Sequence, residues 1–352
     1  MELAPGPVEM RAEVLSLGAA QPKYFRTEQF SDFLLALKVK FLQVLGLSQA
    51  CEVIFLTGSG TAGMEAVAAN FLPAPNHLVI SSGQFGQRFC DIIDRRQLAY
   101  DHVAIDPNQS PEVNLRKIPL GAVQSCFSTI AETSNGYFLD PQAVRAAGLP
   151  DGALLFCDGI TAAFVDNFAI GAVDALIIGS QKGLGLSPGM CFVILSERAV
   201  LRLAERKKCE SLYFDFRSYI GNLQRGQTPF TPNLSVLYQL NCVLDSIVTN
   251  GGLGVFITQR KVLADVFRRR LDAHQIDYVG QFTSNCVTVI NTKEIDAEEI
   301  ADRLHKEYDV VVATNSPPFK KTRLRVSHMG HNTVRDMEVA ADAIASVMRG
   351  KQ

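Results

Sequence analysis

Between residues 50 and 200, short apolar runs alternate with stretches of helical periodicity. CEVIFLTG, HLVISSG, QSCFSTIAET, ALLFCDG, DALIIGS and CFVILS are of strand length and bounded by glycine, serine or acid, as strands buried on both faces are. Between the first two lies TAGMEAVAANFL, where Met64, Val67, Ala68 and Phe71 recur at helical spacing. A helix is therefore predicted directly behind Gly58-Ser59-Gly60. Strands linked by helices predict βαβ units and a largely parallel sheet, hence an α/β fold.

From about residue 251 the pattern changes. VFITQRKVLADVFRRRLDAHQ is a long amphipathic helix, NCVTVINT a strand and DAEEIADRLHKEY another helix; VVVATN and TRLRVSH are predicted strands before a last helix in NTVRDMEVAADAIASVMRG. This predicts a small α+β domain over residues 251–352, a large domain over 16–250 and an N-terminal segment over 1–15. No internal repeat or low-complexity segment interrupts the chain.

Composition narrows the partners. A chain of 352 residues, 47% hydrophobic and 20% charged, has the makeup of a globular protein. Its 34 basic and 36 acidic residues leave a formal charge of −2, which gives no electrostatic case for nucleic acid or an anionic membrane. No stretch reaches the roughly 18 to 20 apolar residues of a membrane helix, and MELAPGPVEMRAEV has no signal pattern, so a cytoplasmic location is expected. The eight cysteines show no CxxC pair and several sit in apolar runs, so buried free thiols are expected. The basic clusters Arg206 to Lys208 and Arg268 to Arg270 are expected as solvated helix faces.

Two residues carry the chemistry. Asp158 ends the apolar run GALLFCD, and Lys182 follows the run DALIIGS, between Gln181 and a glycine. A buried acid needs a cationic partner, and a lysine at a strand end can capture an aldehyde. Both demands are met by pyridoxal 5′-phosphate (PLP), which has a ring nitrogen to keep protonated and an aldehyde to bind. Its phosphate is expected at Thr57-Gly58-Ser59-Gly60-Thr61, where glycine backbone and a helix N-terminus favour an anion. That segment has neither the GK[ST] ending of a nucleotide P-loop nor the GxGxxG spacing. Phe85, between glycines just past a strand, is a candidate face for the ring.

With these residues in view, the chain resembles class V aminotransferases of the PLP-dependent fold type I, close to the alanine-glyoxylate and serine-pyruvate aminotransferases. LAPGPVEM, TGSGTAGMEA, SSGQFGQRF, AETSNG, CDGI, GSQKGLGLSPG, TPFTP and TRLRVSHMG occur in that family's order over nearly the full length. The resemblance implies a large domain with a mostly parallel seven-stranded sheet and a smaller α+β C-terminal domain. It implies Lys182 as the aldehyde-binding amine, Asp158 as the partner of the ring nitrogen, Phe85 stacked on the ring, and Ile160, in CDGI, beside it. Thr133 and Gln181 would hold the phenolic edge or the phosphate, and Ser59, Gly60 and Thr61 the phosphate. Thr228 and Thr231 match a segment that crosses from the neighbouring subunit, so a homodimer with shared active sites is expected.

Arg325, in TRLRVSHMG, matches the arginine that pairs with the substrate α-carboxylate, a task suited to a planar guanidinium. Gly6 and Arg26 are further candidates for the substrate pocket. The implied reaction is ping-pong transamination between a small α-amino acid, alanine- or serine-like, and an α-keto acid such as glyoxylate or pyruvate. Gln181 separates this chain from cysteine desulfurases, which carry histidine before the lysine. Phe25, Phe85 and Ala131 stand where relatives often have histidine, tryptophan and histidine, so the substrate stays open. An aminoethylphosphonate-pyruvate transaminase, with Arg26 as its extra cation, is the alternative enzyme; a non-catalytic PLP-fold protein is the alternative of another class. His328 and His331 have the spacing of metal ligands but no supporting acid or cysteine, so no metal is expected.

Overall fold

The computed structural model describes residues 1–73, 76–116, 118–206, 209–293 and 295–350. Helices α1 (Ala12–Ala19) and α2 (Glu28–Val44) come first. They lead into β1 (Glu52–Thr57), α3 (Gly60–Phe71), β2 (His77–Ser81), α4 (Gln84–Arg95), β3 (Asp101–Ala104), α5 (Pro111–Leu115), β4 (Ser125–Thr129), α6 (Pro141–Ala146), β5 (Leu154–Asp158), β6 (Ala175–Gly179) and β7 (Met190–Leu195). Then come α7 (Glu197–Ala204), α8 (Phe216–Leu223), α9 (Leu234–Thr249), α10 (Gly252–Ala273), β8 (Val287–Asn291), α11 (Ala297–Tyr308), β9 (Ala313–Thr314), β10 (Arg323–Ser327) and α12 (Val334–Arg349).

Seven strands form one sheet in the order β1-β7-β6-β5-β4-β2-β3, with only β7 running against the rest. The apolar runs follow from this topology, because helices cover both faces. Leu34, Leu37 and Phe41 of α2 and Leu237 and Leu240 of α9 pack on one side. Met64 and Val67 of α3 with Phe89 and Ile93 of α4 pack on the other. Gly63 lets α3 sit against the sheet: a Cβ there would stand 2.8 Å from Ile177 Cγ2 and 3.1 Å from Cys191 Sγ. The carboxyl ends of β1, β2, β4, β5 and β6 bring Thr57, Ser81, Thr129, Asp158 and Gly179 to one edge, where open α/β sheets hold their ligands.

A second sheet, β8-β10-β9, is antiparallel and packs with α10, α11 and α12 around Phe267, Leu304, Leu324 and Ile344. Leu3 is fully buried in this same core. Its N–H donates to Val311 O at 2.8 Å and its carbonyl accepts from Ser327 N at 2.7 Å. The first residues of the chain are thus stitched to its last third. That pairing also explains a departure in VVVATN, whose Val311 bridges Glu2 while only Ala313 and Thr314 join β10. The edge strand β3 escapes the apolar pattern because its residues are mostly exposed.

All eight cysteines are free thiols, and all but Cys242 are buried. The basic cluster of α10 divides: Arg269 and Arg270 are exposed, whereas Arg268 turns inward, donating to Thr288 Oγ1 at 3.0 Å and Ser284 O at 2.6 Å. The expectation of a solvated face is corrected there, since unpaired carbonyls at the start of β8 draw the guanidinium in. Of the other cluster, Arg206 reaches Asn70 O at 2.6 Å, while Lys207 and Lys208 lie outside the described residues. Among the described residues no single helix is long and apolar enough to cross a membrane.

Candidate active site

Lys182 lies three residues beyond β6, in the turn that leads into β7, and is half-buried. Its Nζ donates to Pro5 O, so the N-terminal segment runs directly over it. Gly6 makes that passage possible: a Cβ there would come within 2.8 Å of Lys182 Cδ and 2.9 Å of Nζ. Burial pushes the lysine pKa down to about 8; Arg325 and Arg88 add to the effect and Asp158 opposes it. An amine in that range is available as a base near neutral pH.

Asp158 ends β5, the strand hydrogen-bonded to β6, and is 5% exposed. It accepts one hydrogen bond, from Ile160 N at 2.9 Å, and forms no ion pair among the described residues. Burial drives its pKa up to about 7; Glu132 adds to this, and the Ile160 N–H, Arg88 and Lys182 hold it back. Around it lie buried polar atoms without hydrogen-bond partners: Thr129 Oγ1, beside Asp158 in the β4–β5 register, Ser82 Oγ after β2, and Gln181 Oε1 beside Lys182.

The N-terminus of α3 closes another side. Ser59 is its N-cap residue but makes no side-chain cap, so first-turn N–H groups keep their capacity for a ligand. Gly60 faces Ile160, whose Cγ1 would stand 2.6 Å from any Cβ at residue 60. Thr61 Oγ1 accepts from Arg88 Nη1 at 3.1 Å, and the Arg88 guanidinium lies 5.1 Å from the centre of the half-buried Phe85 ring.

Glu132, Arg88, Thr129 and Ser82 were not among the residues singled out in the sequence. Glu132 is fully buried, and its carboxylate accepts from Phe85 N, Gly86 N and Ser134 N at 3.0, 3.0 and 3.1 Å. It thereby caps α4 and fixes the backbone of Phe85. Its signal was available in AETSNG, an acid between an apolar strand and a turn, which must find buried donors. Thr133, next to it, is 2% exposed.

Arg325 projects from β10 and donates from Nε and Nη2 to Thr314 O at 3.2 and 2.9 Å. It has no carboxylate partner within ion-pair distance among the described residues. Burial lowers its pKa and Glu132 opposes that. Arg26 is exposed and holds a different segment, donating to Gln227 Oε1 at 3.0 Å and Thr228 O at 2.9 Å. Thr228 is buried, its hydroxyl on Phe230 O at 2.7 Å, and Thr231 is exposed. The structure brings Gly6, Asp158, Lys182, Gln181 and Arg325 around one centre, with Ile160 joining Asp158 to Gly60; Arg26 is instead bound to the Thr228 segment, which meets the end of β1 where Asn233 N donates to Thr57 Oγ1 at 3.2 Å. His328 is buried against Phe267 and His331 is exposed, so the two imidazoles share no site.

These residues fit PLP. A buried carboxylate short of a cation, an amine of lowered pKa just beyond the adjacent strand, a helix N-terminus without a side-chain cap and three unpartnered buried polar atoms match the charges and donors of that molecule. Asp158 would face the ring nitrogen, Lys182 the aldehyde, and Ser59, Gly60 and Thr61 the phosphate.

No family model matches the chain. Among curated proteins it is 26% identical to a protein named soluble hydrogenase, small subunit, from Synechococcus, over 99% of this chain and 92% of that protein. It is 25% identical to a serine–glyoxylate aminotransferase from Arabidopsis thaliana, over 93% of this chain and 84% of that protein. Among solved structures, an aspartate aminotransferase of subgroup IV from Thermus thermophilus superposes with a TM-score of 0.89 at 25% identity, covering 99% of both chains.

Proposed function

We infer that this chain, a PLP-dependent aminotransferase of the class V type, moves an amino group between a small α-amino acid of the alanine or serine kind and an α-keto acid such as glyoxylate. The observation that carries this reading is the placement of Asp158 at the end of β5 and of Lys182 just beyond the adjacent β6, the acid buried with a single hydrogen bond to its carboxylate.

When bound, PLP supplies an electrophilic aldehyde and a cationic ring that takes up the electron pair left by the α-proton. Asp158 would hold the proton on the ring nitrogen. Lys182 Nζ would take the proton from the substrate Cα, a task suited to a base with a pKa of about 8. Arg325, tied on one side to Thr314 O, offers its remaining N–H groups to the substrate carboxylate and sets the orientation of Cα. Glu132 keeps Phe85 aligned through its backbone, and Gly6 lets the N-terminal segment pass close over Lys182 without striking its side chain.

We read residues 16–250 as the cofactor domain and 251–352 as the small domain. The working unit is a homodimer in which Thr228 and Thr231 reach the partner's phosphate site, in the cytoplasm.

Replacing Lys182 by alanine tests the assignment. The variant is expected to fold, to lose the visible absorbance of lysine-bound cofactor and to lose transamination; turnover at the wild-type rate would remove Lys182 from its role. Mixing the PLP-loaded protein with single amino acids and following the cofactor spectrum identifies the donor.

A further inference from the structure

Away from Lys182, the junction of α9 and α10 opens on a crevice of about 330 Å³. One face of α10 forms its floor, through Gly252, Phe256 and Arg260, which recur at helical spacing. Asn250 at the end of α9, Arg11 before α1, and His331 and Asn332 after β10 complete it. No acidic side chain lines it among the described residues.

Arg260 is the unusual member. Its Nη1 donates to Gly330 O at 2.7 Å and its guanidinium lies 4.7 Å from the Phe256 ring centre. Its Nε is buried with no hydrogen-bond partner, and it forms no ion pair among the described residues. A guanidinium desolvated without a counter-charge is costly, and most buried charges are paired. Arg11 brings a second cation to the same crevice; it donates to Ser246 Oγ at 2.8 Å and meets Glu13 at 3.3 Å, an acid that is 56% exposed and therefore screened. The N-terminus of α10 opens here too, behind Gly251 and without a side-chain cap. Asn332 Oδ1, another buried atom without a partner, adds an acceptor.

We propose that this crevice binds a phosphate-type oxyanion, held by Arg260 and Arg11, either as hydrogen phosphate or as the phosphate of a small hydroxylated metabolite. Arg260, unpaired, and Arg11, paired only with the exposed Glu13, call for a compact anion with more than one charge, since one ligand must face both guanidiniums. The lone acceptor of Asn332 suits a ligand that also carries a hydroxyl. The volume lies at the lower end for small-molecule sites and is far more than a single water needs. Burial, reinforced by Arg11, lowers the Arg260 pKa to about 10, as expected where a second cation stands beside a buried one.

The test uses the PLP-saturated protein, so that the cofactor's own phosphate site is filled. Calorimetric titrations with inorganic phosphate and, separately, with glycerol 3-phosphate are expected to show one further site per chain with a Kd at or below about 1 mM. The tighter of the two ligands identifies the source of the phosphate. Arg260→Met is expected to weaken binding by at least about tenfold and to keep transamination, because Arg260 is no part of the Lys182 site. Arg11→Gln, at the exposed rim, provides a second readout should the buried variant fold poorly, and is expected to weaken binding by a smaller factor. Absence of binding by both phosphates, unchanged affinity in Arg260→Met, or an equal response to chloride at matched ionic strength overturns the proposal.

Discussion

Replacing Asp158 by asparagine should change stability in opposite directions with and without the cofactor. In the cofactor-stripped protein the carboxyl has a pKa of about 7 against an ordinary 3.8, because it is buried with one hydrogen bond. Holding it ionised in the folded state then costs about 4 kcal/mol. The folded protein keeps a proton that the unfolded chain has released, so this group's contribution is present below about pH 4 and is lost as pH rises to about 7. Asparagine keeps an oxygen for Ile160 N and never ionises. The stripped variant should therefore be more stable than the parent at about pH 8, by up to about 4 kcal/mol, with the difference shrinking toward about pH 4. With PLP bound, the protonated ring nitrogen supplies the missing cation, and the same substitution should weaken cofactor affinity and lower stability. Urea denaturation of both forms across this pH range measures each difference. A stripped variant less stable than its parent at about pH 8, or a difference that does not vary with pH, would refute the argument.

Three further outcomes follow from the geometry. Arg325→Ala should raise KM for amino acids by about ten- to a hundredfold with a smaller change in kcat, since one charge-assisted carboxylate contact is lost; an unchanged KM assigns the residue to structure. Gly60→Ala pushes a Cβ into Ile160 and should weaken PLP binding by about tenfold, and Ile160→Ala in the same chain should recover part of the loss; fluorescence titration with PLP reads both. Asp174 accepts from Arg145 Nη2 at 2.5 Å, Arg198 Nη2 at 2.8 Å, Leu155 N at 2.8 Å and Ser196 Oγ at 2.7 Å, so Asp174→Ala should destabilise the protein by about 3 to 5 kcal/mol in urea without altering the cofactor spectrum.

The large sheet was legible because six of its strands are covered on both faces and are therefore built mainly of apolar residues. β3 was not, because an exposed edge strand needs no apolar run. Asp158 and Lys182 could be picked out for the same reason: a charged residue at the end of an otherwise apolar stretch has no structural excuse. Glu132 and Arg88 stayed hidden, because what they do depends on partners brought from elsewhere in the chain, the first N–H groups of α4 for Glu132 and the hydroxyl of Thr61 for Arg88.

The sequence by itself determined the fold class, the order of the motifs and the residue types that PLP requires, since each depends on local pattern and composition. Only the tertiary structure decided what surrounds them. The first residues are buried beneath the last third of the chain, Gly6 passes over Lys182, and Arg26 joins Thr228 instead of Lys182. Such contacts link positions more than a hundred residues apart. Their energies come from burial and hydrogen bonding across the fold, which no local window of sequence contains.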